Sequence, residues 1–183
     1  MKNPVFLLFA VVLFAGCQKK STEKRLGDRE ELTITPIDSG VIVINEVAYR
    51  AEIENEYGKE SDWIELYNNS SKTLVIGEGD LTVSDNPSQE SKFSLPQIEI
   101  PAKGYCVIWC DGEDAIDDQL HANFKLSSKG ESVSLFYKGE LFDQVFYDSV
   151  GSDYNVYTRI SDGAPEWTYS KDLTPGQPNS SEK

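Results

Sequence analysis

His121 is the only histidine in this 183-residue chain, so any catalytic arrangement that needs an imidazole must use it. A Ser-His-Asp or Cys-His arrangement would need its imidazole as the general base. A histidine-based zinc site would have to take its other ligands from carboxylates and from Cys106 and Cys110. The sequence favours a simpler interpretation, in which His121 belongs to a structural loop before Phe124. We therefore expect no catalytic residue and no enzymatic activity.

An acidic stretch between residues 111 and 118 is the best candidate for metal binding. Its carboxylates belong to Asp111, Glu113, Asp114, Asp117 and Asp118. Hard oxygen ligands of this kind suit calcium, but their spacing does not match an EF-hand loop. A run of charges is also common on solvated surfaces that bind nothing. The sequence leaves both interpretations open, a calcium site and a solvated loop, and it indicates no other cofactor.

Glu46 and Glu65 form a second candidate pair of acids, because they occupy two predicted strands that can lie side by side. Paired carboxylates perform glycosidase chemistry. However, a chain with 31 acidic and 17 basic residues brings carboxylates together by chance. We expect Asn45, Glu46 and Glu65 to hold loops through hydrogen bonds instead.

Aromatic side chains are the strongest candidates for recognising a partner. An exposed patch around Trp63, Tyr67 or Trp167 would offer large, rigid contact surfaces. The formal net charge of −14 argues against binding DNA or RNA, whose phosphates require clustered lysine and arginine. The same charge argues against attraction to anionic lipid surfaces.

The start of the chain carries an export signal. Met1-Lys2-Asn3 precedes an apolar run, VFLLFAVVLFA, over residues 5–15. This run is shorter than the roughly 20 residues that a membrane-spanning helix needs, and it suits a signal peptide. Residues 13–17, LFAGC, resemble the lipobox of bacterial lipoproteins, although an ordinary signal peptide ending near a cysteine is the alternative. The resemblance implies removal of residues 1–16 and a lipid anchor on Cys17, of the palmitate-bearing kind. Gln18, in place of the aspartate that often retains lipoproteins at the inner membrane, favours the outer membrane.

The remainder divides into a polar segment and one β-rich domain. Residues 17–40 combine the lipidated cysteine with few large apolar side chains, which predicts a flexible tether. Residues 41–179 form the predicted domain, and residues 180–183 form a short tail. Short β-prone runs separated by Gly, Pro, Asn and Asp are typical of a sandwich or barrel. The predicted strands are 41–48, 62–68, 73–76, 81–84, 97–100, 105–110, 132–137, 141–147 and 156–160.

Four details of these strands can be tested. In the second strand, the aliphatic face (Ile64 and Leu66) should enter the core. Cys106 and Cys110 lie four residues apart in one strand, about 13 Å, which is too far for a disulfide and predicts two buried free thiols. Lys138-Gly139 should form a tight hairpin turn, and we expect Phe146 to contribute to the packing between two sheets.

Seven sequence blocks together resemble the lamin tail domain as found in bacterial exported proteins. The blocks are Val43–Val47 (VINEV), Asp62–Asn68 (DWIELYN), Leu81–Asp85 (LTVSD), Ile100–Tyr105 (IPAKGY), Trp109–Gly112 (WCDG), His121–Ser127 with Gly130-Glu131, and Thr174–Asn179 (TPGQPN). They follow the order of the family and cover nearly the whole domain. The resemblance implies an immunoglobulin-like antiparallel β-sandwich, which agrees with the strand pattern.

These observations predict a membrane-anchored, non-catalytic binding module of the bacterial cell envelope. The expected partner is an envelope protein or a glycan, recognised through loops or an exposed sheet edge. The alternative is an accessory domain ordered by calcium that serves a secreted hydrolase or nuclease assembly.

Overall fold

A computed structural model of the chain describes residues 18–19, 37–116, 118–149 and 154–179. This part is built from β-strands, and none of its residues belongs to a helix that is long and apolar enough to cross a membrane. The strands are β1 Gln18–Lys19, β2 Ile42–Ala48, β3 Asp62–Asn68, β4 Leu74–Ile76, β5 Leu81–Ser84, β6 Phe93–Ser94, β7 Ile98–Ile100, β8 Tyr105–Cys110, β9 Ala115–Ile116, β10 Leu120–His121, β11 Gly130–Tyr137, β12 Glu140–Asp148, β13 Val156–Arg159 and β14 Trp167–Ser170.

The largest sheet contains seven strands in the order β14-β13-β2-β3-β8-β10-β9. Its strands pair antiparallel except for β10, which runs parallel to β8. The register between β2 and β3 slips at Asn45, so that Ile44 faces Leu66 while Glu46 faces Glu65. A bulge of this kind adds one residue to a strand and redirects the side chains that follow it. The Asn45 bulge therefore sets which face of the sheet carries Glu46.

A second sheet, in the order β12-β11-β5-β6, packs against the first. The main core cluster joins side chains from both sheets, including Ile64 and Ile108 from the first and Val133 and Leu135 from the second. A small sheet with the order β1-β7-β4 adds Ile76 and its neighbours to this cluster. Two sheets whose facing side chains pack into one core form a β-sandwich. The predicted all-β, immunoglobulin-like sandwich is confirmed.

Most predicted strand details are also confirmed. Ile64 and Leu66 are fully buried in the main core, and Cys106 and Cys110 are buried thiols that no disulfide joins. Lys138 and Gly139 both adopt positive φ, 53° and 81°, as a tight hairpin between β11 and β12 requires. Five short or late strands (β1, β6, β9, β10 and β14) were not predicted, because two to four residues carry too little alternation to reveal a strand.

The predicted signal peptide, Cys17 and most of the predicted tether lie outside the described residues. Within the tether, Gln18–Lys19 differs from the prediction, since it forms β1 and pairs antiparallel with β7, Gln18 opposite Glu99. Pairing at a sheet edge uses backbone groups, so polar composition does not prevent it.

Candidate functional site

Glu46 and Glu65 lie opposite each other on the outer face of the seven-stranded sheet, as neighbouring strands allow. Their residues are 1% and 0% exposed. The two residues that flank Glu65 on the same face of β3 are aromatic. Trp63 pairs with Trp109 of β8, and Tyr67 pairs with Tyr105 of β8. Two acidic side chains are therefore enclosed between two aromatic clusters.

The C-terminal segment, defined here as residues 174–179, covers this carboxyl pair. The Thr174 hydroxyl donates a hydrogen bond to Oε1 of Glu46, which also accepts one from the Thr158 hydroxyl at 3.1 Å. The Gly176 amide donates to Oε2 of Glu65 at 2.6 Å. The pair thus fastens the end of the described chain to two central strands, which agrees with the predicted loop-holding role of these acids.

Asn45, the bulge residue, connects the same segment to a third acid. Its side-chain amide donates to Glu65 and to Asp162, both at 3.0 Å, while its Oδ1 accepts from the Gly163 amide at 3.1 Å. Asp162 in turn accepts hydrogen bonds from the Asn179 amide at 3.0 Å and from the Tyr105 hydroxyl at 2.6 Å. Asn45, Glu46 and Glu65 consequently act together as a hub for two loops.

Burial controls the ionisation of this hub. Burial raises the pKa of Glu46 to about 7, against hydrogen bonds from Thr174 and Thr158 that lower it. Burial and the adjacent charge of Glu46 raise the pKa of Glu65 well above its ordinary value. Since desolvation disfavours the charged form, the pair retains a proton under conditions in which exposed glutamates are ionised.

His121 forms a second buried polar site, on β10 beside β8, where the sequence predicted a loop. Its ring is 0% exposed. Nδ1 lies 2.7 Å from Oδ2 of Asp111, and Nε2 lies 2.8 Å from Oε1 of Glu56. Tyr57 stacks on the ring at a centroid distance of 4.9 Å. Burial lowers the histidine pKa, but the two carboxylates outweigh it and raise the pKa above its ordinary value.

This arrangement does not suit nucleophilic catalysis. A general base in a triad uses one ring nitrogen for the nucleophile and the other for an orienting acid. In this site acids occupy both nitrogens of His121, which favours an imidazolium that donates twice. The contacts instead anchor the loop of residues 51–61 to the edge of the seven-stranded sheet, which supports a structural role.

The predicted calcium ligands do not converge in the described residues. Asp111 accepts a hydrogen bond from Asn55, at 3.1 Å, and contacts His121. Glu113 pairs with Lys59 at 2.9 Å on the surface. Within the described ranges, no group of three or more His, Cys, Asp and Glu side chains is placed to hold a metal ion. Asp114 and Asp118 join no such group, and Asp117 lies outside the described residues.

The predicted aromatic patch is wrong for two of its three members. Trp63 is 0% exposed, because the loop after β2 and Leu173 pack in its cluster. Tyr67 is 5% exposed, because it packs with Val43 and Tyr105. Trp167 is half-buried between Tyr157, whose ring centroid lies 5.0 Å away, and the Arg159 guanidinium, 4.6 Å away. Alternation along β3 had suggested exposure, but loops remote in sequence cover that face.

The family comparison agrees with this architecture. Residues 35–149 match the family model for the Lamin Tail Domain, which covers more than half of the chain. The chain belongs to the lamin tail domain family. This is a family of immunoglobulin-like interaction domains that are generally non-catalytic. No curated protein matches the sequence.

The match covers only part of the lamin tail domain that the structure displays. It includes β2 to β12, together with the Glu46–Glu65 pair and His121. The matched range ends before strands β13 and β14 and the C-terminal segment. The sequence blocks that resemble the family extend further, to residue 179. Three residues that donate hydrogen bonds to the carboxyl pair, Thr158, Thr174 and Gly176, therefore lie beyond the matched range, whereas Asn45 lies within it.

One surface feature of this lamin tail domain was missed from the sequence. Phe146, predicted to pack in the core, is 66% exposed, and Leu141 on the same strand is 54% exposed. Both lie on β12, which ends the order of the four-stranded sheet. A backbone irregularity between Leu135 and Phe136 of β11 shifts the β12 register, and Asp143 lies opposite Leu135. Sequence alternation alone does not reveal such a shift.

Proposed function

We propose that this lamin tail domain is a lipid-anchored, non-catalytic binding module of the bacterial cell envelope whose ligand is a protein. The exposed apolar side chains of Leu141 and Phe146 on terminal strand β12 are the observation that carries this proposal. Exposed apolar side chains on one strand are more often part of a protein-binding surface than of a catalytic site. A shallow depression beside Phe146, lined by Lys129–Ser132 and Tyr147–Asp148, gives a partner side chain a place to pack.

The aromatic column on β13 and β14 favours a protein over a glycan. Sugars stack on an open ring face, whereas these rings cover one another. Tyr157 lies between Tyr169, with a centroid distance of 4.5 Å, and Trp167, and Arg159 covers the far side of Trp167. The column therefore supports the sheet rather than offering a platform for a saccharide.

The lipid anchor is tested with the full chain expressed in a bacterial host and labelled with a fatty-acid analogue. We expect the wild-type chain to carry the label and to fractionate with membranes, mainly the outer membrane. The Cys17→Ala variant should lose both properties. Equal labelling of the two chains would contradict acylation at Cys17.

The binding surface is tested by placing a photo-crosslinking amino acid at position 146 in the same cells. We expect a discrete protein adduct that disappears when Leu141→Ser is added. Ile160, exposed at the end of β13, provides the matched control position. The proposal fails if position 146 gives no adduct, or if positions 146 and 160 give the same adducts.

A further inference from the structure

The carboxyl hub beneath the C-terminal segment brings together three acids, and among the residues that the structure describes no lysine or arginine side chain contacts them. Glu46, Glu65 and Asp162 are linked through the side chain of Asn45 and through hydroxyls and backbone amides of the C-terminal segment. Every hydrogen bond that they receive in the described part of the chain comes from a neutral group. Buried carboxylates normally pair with cations or become protonated. Protons on Glu46 and Glu65, the two fully buried acids, would remove the uncompensated charge.

The charged and titratable groups around the hub do not replace those protons. Arg159, the cation on the adjacent strand, directs its guanidinium to Asp143, at 2.9 Å, and to the carbonyl of Ile44, at 2.7 Å. Tyr105 donates to Asp162, and Tyr67 lies beside Tyr105 with a ring-centroid distance of 5.3 Å. These phenols are weak acids and supply no positive charge. The hub thus faces one further carboxylate and two neutral tyrosines.

The two carboxyl oxygens of Glu46 differ in their hydrogen bonds, and one of them can carry a proton. Its Oε1 accepts two hydroxyl hydrogen bonds, whereas its Oε2 is buried without a hydrogen-bond partner. An unpaired buried oxygen is costly when it carries charge. Protonation of Oε2 removes that charge, so the closed position of the C-terminal segment favours the neutral acid over the carboxylate.

We propose that Glu46 and Glu65 form a proton-binding site that fastens the C-terminal segment over the seven-stranded sheet and releases it when the protons are lost. Release removes Thr174 from Glu46 and the Gly176 amide from Glu65. It also loosens Leu173 from the cluster that contains Trp63 and Trp109. Loss of the protons thereby uncovers an aromatic face that the closed molecule conceals. This inference is independent of the proposed partner.

The direction of the pH dependence follows from the proton count. The closed state binds a proton more tightly than the open state, in which the carboxyls have ordinary affinity for protons. Glu46 alone, with a folded pKa of about 7 against 4.5, makes closure strongest below about pH 4.5 and progressively weaker up to about pH 7. Glu65 extends this window to higher pH. From Glu46 alone, the opening constant should rise on the order of 100-fold between pH 5 and pH 8, and Glu65 adds to this rise.

Hydrogen exchange of the full chain tests the proposal at single amides. The reporters are the amides of Gly176 and Asn179, which donate to Glu65 and Asp162. We expect their protection factors, corrected for the intrinsic rate at each pH, to fall by at least on the order of 100-fold between pH 5 and pH 8. The Leu95 amide, which donates to Leu81 at 3.0 Å, reports on the rest of the sandwich. It should change far less.

The variant Glu46→Gln mimics the protonated acid, so between pH 5 and pH 8 the protection of its reporter amides should fall on the order of 100-fold less than in wild type, leaving only the part that Glu65 contributes. Glu140→Gln, an exposed position on β12, is the matched control and should behave as wild type. Protection at Gly176 and Asn179 that does not depend on pH in the wild type would overturn the proposal, and this holds even if Glu46→Gln fails to fold. Equal losses in wild type and Glu46→Gln would overturn it as well.

Discussion

The His121 site and the Glu46–Glu65 hub are both buried and rich in acids, yet they differ in charge balance. His121 places one titratable cation between two carboxylates, whereas the hub gathers three carboxylates among neutral donors. The first fastens the loop of residues 51–61, and the second fastens the C-terminal segment. The comparison teaches that one sandwich can attach two surface segments by different means, an ion pair in one place and bound protons in the other.

The His121 site, in which a cation lies between two carboxylates, should lose more stability than the hub when its central residue is removed. His121→Ala leaves Asp111 and Glu56 facing an empty, enclosed space, and removing one member of a buried ion pair costs about 3–5 kcal/mol. We expect a loss of this order in the free energy of unfolding, measured by urea denaturation at pH 6. Because the His121 pKa is raised above 6.5, its stabilisation is present below that pH and declines as the pH rises through the folded value. A loss below about 1 kcal/mol would contradict the ion-pair account.

The unbalanced hub should depend on its neutral donors. Asn45→Ala removes the amide that donates to Glu65 and Asp162 and the oxygen that accepts from Gly163. Each unsatisfied buried partner costs about 1–3 kcal/mol, with part regained by relaxation. We expect a net loss of about 2 kcal/mol in urea denaturation. If the variant is as stable as wild type, Asn45 does not hold the hub together.

The exposed ion pair near His121 should contribute least. Lys59 contacts Glu113 at 2.9 Å, but both side chains are about half exposed (57% and 47%). Solvent and salt screen such pairs, so Lys59→Ala should leave the unfolding midpoint unchanged within error. This variant is also the control for His121→Ala, since it alters the same loop. A large loss would mean that the loop, and not the buried imidazole, determines the stability of this region.

The sandwich was predictable because alternation reports the face that enters the core. Ile64, Leu66 and the strand of Cys106 and Cys110 follow that pattern and are placed as predicted. Alternation does not report what covers the opposite face. Trp63 and Tyr67 are buried by segments distant in sequence, and Phe146 is exposed on a strand whose pairing shifts near Asp143.

The candidate site was predictable only in part, for the same physical reason. The two predicted strands placed Glu46 near Glu65, and the abundance of acidic residues in the chain favoured a loop-holding role over catalysis. The contribution of Thr174 and Gly176 depends on a contact across more than 100 positions of the chain. The Asn45 bulge, which sets the direction of Glu46, also leaves no signature in a run of strand-forming residues.

The pH dependence of unfolding in wild type and Glu46→Gln tests the proton-fastened hub most directly. The glutamine side chain of this variant does not titrate, so the difference in unfolding free energy between the two proteins isolates the Glu46 proton from all surface charges. We predict that Glu46→Gln gains about 2–3 kcal/mol relative to wild type between pH 5 and pH 8, as measured by urea denaturation. A difference that is the same at both pH values would contradict the account, because Glu46 would then carry the same charge in the folded and unfolded chains.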